Sequence, residues 1–317
     1  ALDWHEAGHP VALVTVMETW GSAPRPPGSQ MAVRGDGLFA GSVSGGCVEA
    51  AVIAEAIAAL AEGQARLLGY GVSDQDAFAA GLSCGGQIRL LVEPVGTVLP
   101  PDLLSGLAKA RQQRRNMVYI VDLASGSRRV QAAEDLWGDP IPGAYCAMDG
   151  ARFISLYLPP PRLILVGAVQ IAQALLPMAA ALSYEVILID PRYGFLTEAR
   201  FPYVQRCADW PDRALPALGL DVRTALVTLS HEARIDDPAL ILALSSAAAY
   251  VGALGARKTQ AARLERLRAA GVGAEGLARL KAPVGLAIGA ATPAEIALSI
   301  LAEIVATFRR SEPPKQV

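Results

Sequence analysis

The chain has 317 residues, enough for two domains of roughly 100–200 residues each. Hydrophobic residues make up 52% and aromatics 6%, so the core has to be aliphatic and alanine-rich. Lys+Arg 28 against Asp+Glu 30 leaves a formal charge of −2; this excludes the basic footprint of a nucleic-acid binder, and the chain has no run of about 18 uninterrupted apolar residues to span a membrane.

In chain order, His5 and His9 fall in what reads as a ragged terminal tail. Residues 11–20 are β-rich and predict a strand. The segment Gly21-Ser-Ala-Pro-Arg25-Pro-Pro-Gly28 is a turn, because three prolines exclude a regular element. Residues 30–33 and 37–41 read as a short hairpin. Residues 47–63, rich in Ala, Ile and Val, predict a helix. Residues 66–71 and 87–95 predict strands, which makes the region up to Pro94 a small α+β unit.

A helix is expected over 102–115 and strands over 116–123 and 152–158, flanking a weakly patterned stretch. Pro159-Pro160-Pro161 reads as a stiff, extended linker. Domain boundaries are therefore expected at 1–158 and 162–317. Beyond the linker, strands over 162–166, 185–190, 225–230, 250–254 and 284–288 alternate with helices to about 183, over 238–249, 258–270 and 292–309. That alternation predicts a Rossmann-like, doubly wound parallel sheet. Thr292-Pro293-x-Glu295 marks the start of the last helix, with Thr at the cap, Pro in the first turn and Glu three residues on.

The chemistry-bearing features are two glycine loops that each carry a cysteine. In the first, Gly45 and Gly46 precede Cys47 and Glu49 at the start of a helix, where amide groups and the helix dipole favour thiolates and anions. In the second, Cys84 precedes Gly85 and Gly86 ahead of a strand. The first loop also reads as a plain tight turn with a small packed cysteine, and the second as a β-bulge or hairpin turn. Glu49 reads as an acid/base or ligand-orienting group, or as a first-turn acid complementing the helix dipole. Arg25 sits on a stiff loop and suits a bidentate phosphate contact, or is an ordinary surface arginine. The four cysteines, Cys47, Cys84, Cys146 and Cys207, form no Cys-x-x-Cys pair, which argues against structural zinc and fits free thiols in a reducing cytoplasm.

In the second half, Gly167-Ala168-Val169-Gln170 stands where a dinucleotide loop belongs, with Asp190 near its usual acidic position. Val169 and Ala172 replace the second and third glycines, so tight NAD(P) binding is not expected. Arg257 and Lys258 follow a glycine-containing strand end, where an anion site or a solvated helix start both fit. His231 follows a strand, with no partners for a hydrolytic triad.

On these residues the chain resembles the XdhC/CoxI family, accessory proteins of xanthine dehydrogenase-type molybdenum hydroxylases. The resemblance rests on Gly21-Ser-Ala-Pro-Arg25-x-x-Gly28, Gly41-Ser-Val-Ser-Gly-Gly-Cys47-Val-Glu49, Gly81-Leu-Ser-Cys84-Gly-Gly86, Tyr250-Val-Gly-Ala-Leu-Gly-Ala-Arg257-Lys258 and the run 285–300, in order along nearly the whole chain. It implies a chaperone rather than a turnover enzyme. Such a chaperone binds the molybdenum cofactor, a pterin dithiolene with a phosphate and in some cases a nucleotide. It holds the cofactor while a cysteine desulfurase supplies a terminal sulfido ligand, then passes it to the apo-hydroxylase. The resemblance also implies a homodimer. Glycine amides and Arg25 would meet phosphate, and Cys47 or Cys84 would contact molybdenum as soft ligands. The alternatives are an NAD(P)-dependent oxidoreductase on the second domain and a scaffold that binds no cofactor. The family commonly has Gly-Ala-Gly-His at the loop that here reads Gly167-Ala168-Val169-Gln170.

Overall fold

The structure, a computed structural model, describes residues 1–21, 25–71, 86–138 and 146–310. The chain divides into two compact units, Ala1–Pro159 and a second that begins at Pro160.

The first unit is built on an antiparallel five-stranded sheet of order β3-β2-β1-β5-β4. Its strands are β1 (Val11–Trp20), β2 (Gln30–Arg34), β3 (Phe39–Gly41), β4 (Arg66–Tyr70) and β5 (Gln87–Pro94). Burial over Val11–Met17, apolar but for Thr15, is continuous rather than alternating because β1 is central and covered on both faces. Ala12, Val14 and Val16 pack against Val52, Ala56 and Ala59 of the helix Glu49–Glu62. Val11, Leu13 and Met17 pack against Tyr119, Val121 and Phe153 of a second sheet. That sheet is also antiparallel, of order β7-β6-β9-β8, from β6 (Met117–Asp122), β7 (Arg128–Ala132), β8 (Cys146–Asp149) and β9 (Arg152–Tyr157).

The helix Glu49–Glu62 lies close on the sheet because alanines form its buried stripe. It stops at Gly63, whose left-handed φ of 66° turns its amide back to the Ala59 carbonyl. A polar tie crosses the interface of the two sheets: fully buried Glu93 accepts from Tyr119 Oη at 2.8 Å and Arg128 Nε at 2.7 Å. Burial pushes the Glu93 carboxyl up, against the pull of Arg128.

The second unit holds a six-stranded parallel sheet of order β12-β11-β10-β13-β14-β15. Its strands are β10 (Arg162–Val166), β11 (Glu185–Ile189), β12 (Gln205–Cys207), β13 (Thr224–Thr228), β14 (Tyr250–Ala253) and β15 (Leu280–Lys281). The helices Gln170–Ala181 and Pro293–Arg310 cover one face, and Pro211–Leu218, Ala233–Leu244 and Arg257–Ala269 the other. This is the doubly wound, Rossmann-like arrangement the alternation predicts. The strand order reverses between β10 and β13, so their C-terminal ends form the switch point where such sheets take ligands.

Several expected elements differ. Residues 284–288 are not a strand: Leu280–Lys281 takes the edge beside β14. The chain beyond it is drawn onto the last helix by Gly285 N donating to Glu303 and Leu286 N to the Ser299 carbonyl. The helix expected over 238–249 is Ala233–Leu244, with Pro238 inside it; burial of Ile235, Ala239, Leu240 and Ala243 outweighs the proline signal. The supposed tail carries the helix Leu2–Glu6, and Trp4 packs on the core. The weakly patterned stretch holds β7 and β8. The cap of the last helix forms as expected, with Glu295 N donating to Thr292 Oγ1 at 3.3 Å and Thr292 N to Glu295 Oε2 at 2.8 Å.

Candidate functional site

The loop between β3 and the helix Glu49–Glu62 is organised around one carboxylate. Glu49 Oε1 accepts from Ser42 Oγ at 2.7 Å and from the amides of Val43 at 3.3 Å, Ser44 at 2.9 Å and Gly45 at 3.0 Å. Glu49 Oε2 accepts from the Gly46 amide at 2.8 Å and from Ser44 Oγ. Glu49 is 8% exposed. Burial pushes its carboxyl up, but the Ser44 and Ser42 hydroxyls and the Ser44 amide outweigh that and hold it at about 2. The glycines permit the wrap: Gly45 and Gly46 have φ of 82° and 123°. At the loop's entrance a Cβ on Gly41 would lie 2.3 Å from the Gln30 carbonyl oxygen.

This bears on the role expected of Gly45 and Gly46. Their amides do not face outward as a phosphate cradle; the chain's own carboxylate fills the cradle. Glu49 is accordingly a structural acid in this geometry, bonded throughout, rather than a free acid/base. What the loop presents is Cys47, two residues before the first helical residue, a free thiol that is half-buried against the face bearing Val48 and Val52.

The second cysteine loop is not characterised, since Cys84 and Gly85 lie outside the described residues; Gly86 is buried, immediately before β5. Arg25 is exposed, with no ion-pair partner among the described residues. Its loop closes through Gly28 N donating to the Val16 carbonyl at 2.8 Å. Beneath it lies a thiol that residue spacing alone does not single out. Cys146 Sγ is 3.5 Å from the Val16 carbonyl oxygen, and a Cβ on Gly28 would sit 3.8 Å from that sulfur. Burial pushes the Cys146 thiol up to about 12, so it stays protonated at neutral pH. Cys47 and Cys146 therefore occupy opposite faces of the five-stranded sheet. Among the described residues no group of three or more His, Cys, Asp or Glu side chains could hold a metal ion.

In the second unit the switch point is closed by the chain itself. Gly167 is required there: at φ 115°, a Cβ would lie 2.7 Å from the Ser230 backbone nitrogen. Ala168 N donates to Asp190 Oδ2 at 2.7 Å. Arg192 grips Asp190 with Nε at 2.8 Å and Nη2 at 2.6 Å, and reaches Glu232 with Nη1 at 2.5 Å. Burial pushes the Asp190 carboxyl up, but Arg192 and the Ala168 amide hold it below the usual carboxylate range. Asp190, near the usual acidic position of a dinucleotide site, is fully buried and paired. Its partner Arg192 carries no motif signal in the sequence. Arg257 opens the helix Arg257–Ala269, and Lys258 beside it is exposed. His231 is exposed with φ 61°.

Comparison with known proteins gives matches along the chain. Residues 4–71 match the XdhC and CoxI family, and residues 163–304 match the XdhC Rossmann domain. The Escherichia coli protein named molybdenum cofactor insertion chaperone PaoD is 31% identical, over 96% of this chain and 86% of that protein. A Bacillus subtilis protein named as a probable xanthine dehydrogenase subunit is 27% identical, over 94% of this chain and 93% of that one. A crystal structure described as a xanthine dehydrogenase from Bacillus halodurans shares the fold, with TM-score 0.80 and 24% identity over 100% of this chain and 97% of that one.

Proposed function

The chain belongs to the XdhC and CoxI family, and on that premise we propose that it carries the molybdenum cofactor as cargo for a xanthine dehydrogenase-type hydroxylase. Its role is maturation rather than turnover. It holds the pterin dithiolene while a cysteine desulfurase supplies the terminal sulfur, then releases it to the apo-hydroxylase, working as a homodimer in the cytoplasm. The name of the Escherichia coli relative supports this reading.

The observation that carries it is the carboxylate-locked loop that ends at Cys47. A soft sulfur suits a molybdenum centre, and the lock removes the freedom a five-residue glycine-rich turn would otherwise have to lose on binding. Exposed Arg25 suits the cargo's phosphate. Cys84 with Gly85 and Gly86 forms the second sulfur-bearing loop of this reading. Arg257 and Lys258, at the start of a helix of the second unit, are a separate candidate anion contact within that unit.

The reading of the second unit as an NAD(P) site is disfavoured by paired Asp190 and by Val169 at the loop. Anaerobic titration with the cofactor tests the proposal. Saturable binding that weakens at least about tenfold in Cys47→Ala, a loss of about 1.4 kcal/mol, is expected. Absence of saturable binding overturns it. Binding unchanged in Cys47→Ala and Cys84→Ala moves the site away from both cysteine loops.

A further inference from the structure

Four consecutive backbone amides, Val43 to Gly46, and two hydroxyls, Ser42 and Ser44, converge on the carboxylate of Glu49. Turns of this kind form concavities for external anions. Here the anion is covalently part of the chain, two residues beyond the thiol that the turn delivers. We infer that Glu49 is the positioning residue of Cys47: its charge, not its bulk, sets how far that thiol is exposed and how it meets a ligand. The inference rests on the reading of Cys47 as the cargo-facing thiol only for its consequence, because the arrangement itself needs no cargo.

The chemistry of the donors makes charge the deciding property. Both carboxylate oxygens accept backbone amides, Oε1 from Val43, Ser44 and Gly45 and Oε2 from Gly46. An amide side chain has a single acceptor oxygen, so Glu49→Gln turns an NH2 group against at least one backbone donor. Hydroxyls rotate to adapt, whereas backbone amides do not. The displaced segment includes Gly45 and Gly46, whose left-handed φ values lack any side-chain restraint. Cys47 follows directly, and its half-burial against Val48 and Val52 depends on the turn holding. Truncation to alanine instead leaves an empty nest of donors that a small free carboxylate can enter.

Peptide-resolved alkylation by iodoacetamide tests this without the cofactor. The Cys47 rate is expected to rise about tenfold in both Glu49→Gln and Glu49→Ala, the weight of one hydrogen bond to a charged group. The Cys207 rate should stay unchanged. Added formate should return Glu49→Ala, but not Glu49→Gln, to the wild-type Cys47 rate. An unchanged Cys47 rate, a rise shared by Cys207, or a rise in Glu49→Ala that formate does not reverse overturns the inference. Should Glu49→Ala not fold, the Glu49→Gln rate decides alone. Loss of cofactor binding in Cys47→Ala is a separate measurement, so failure of the chaperone reading and failure of this one are told apart.

Discussion

Two glycine turns in this molecule lead into helices, and each ends on a carboxylate of the chain itself. In the first unit the carboxylate is local: Glu49 gathers amides three to six residues upstream and, among the described residues, no cation. In the second it comes from the neighbouring strand: Asp190 takes the amides of Ala168 and Arg192 and is then neutralised by the Arg192 guanidinium, which also reaches Glu232. The first arrangement stiffens a turn and leaves a half-buried thiol at its end. The second seals a switch point with an ion pair. A glycine turn before a helix is therefore not by itself an anion site; what its amides already hold decides the matter.

The contrast can be broken most severely at Gly167. A Cβ there meets the Ser230 backbone at 2.7 Å with φ 115°, so Gly167→Ala should cost at least about 3 kcal/mol, seen as a large drop in chemical-denaturation midpoint. A midpoint within error of wild type would show that the two strand ends are not in close approach.

Next is Glu49→Gln, expected to cost about 2 kcal/mol after allowing for solvent screening. Its pH dependence carries a definite sign. The folded carboxyl is held at about 2 against an ordinary 4.5, so its contribution is full above about pH 4.5 and fades as the pH falls toward 2. The stability gap between wild type and Glu49→Gln should thus close on acidification. A gap that stays constant from pH 7 to about 3 would remove charge from the account.

Arg192→Gln leaves buried Asp190 with amide donors alone and should cost about 1–2 kcal/mol, given that Arg192 is partly exposed. The same variant should shift little in Cys47 alkylation, which keeps the two turns independent. Thr292→Ala removes one half of the reciprocal cap on the last helix and should cost about 1 kcal/mol. The smallest effect is Lys258→Ala, an exposed position expected to stay within about 0.5 kcal/mol in stability.

Much of the fold was legible because its signals were local. The buried run Val11–Met17, the alanine-rich helix ending at Gly63 and the Thr292–Glu295 cap each follow from a few neighbouring residues. Tertiary competition hid the rest. Edge strand Leu280–Lys281 has only two residues, and Pro238 masked the helix that contains it. At the site, residue types pointed to the Cys47 turn, but the destination of its amides did not show, because Glu49 reads equally well as a dipole-complementing acid. Arg192 stayed hidden because it acts across two strands. Cys146 stayed hidden because its place beneath Gly28 depends on the packing of two sheets.

On the proposed function the Cys47 turn of the first unit receives the cofactor. Anaerobic footprinting tests it most directly: peptide-resolved alkylation of Cys47, Cys146 and Cys207 during titration with the molybdenum cofactor. Cys47 is expected to become protected in proportion to bound cofactor while Cys207 keeps its rate. Full occupancy with Cys47 unprotected, or protection confined to Cys207 in the second unit, would contradict it.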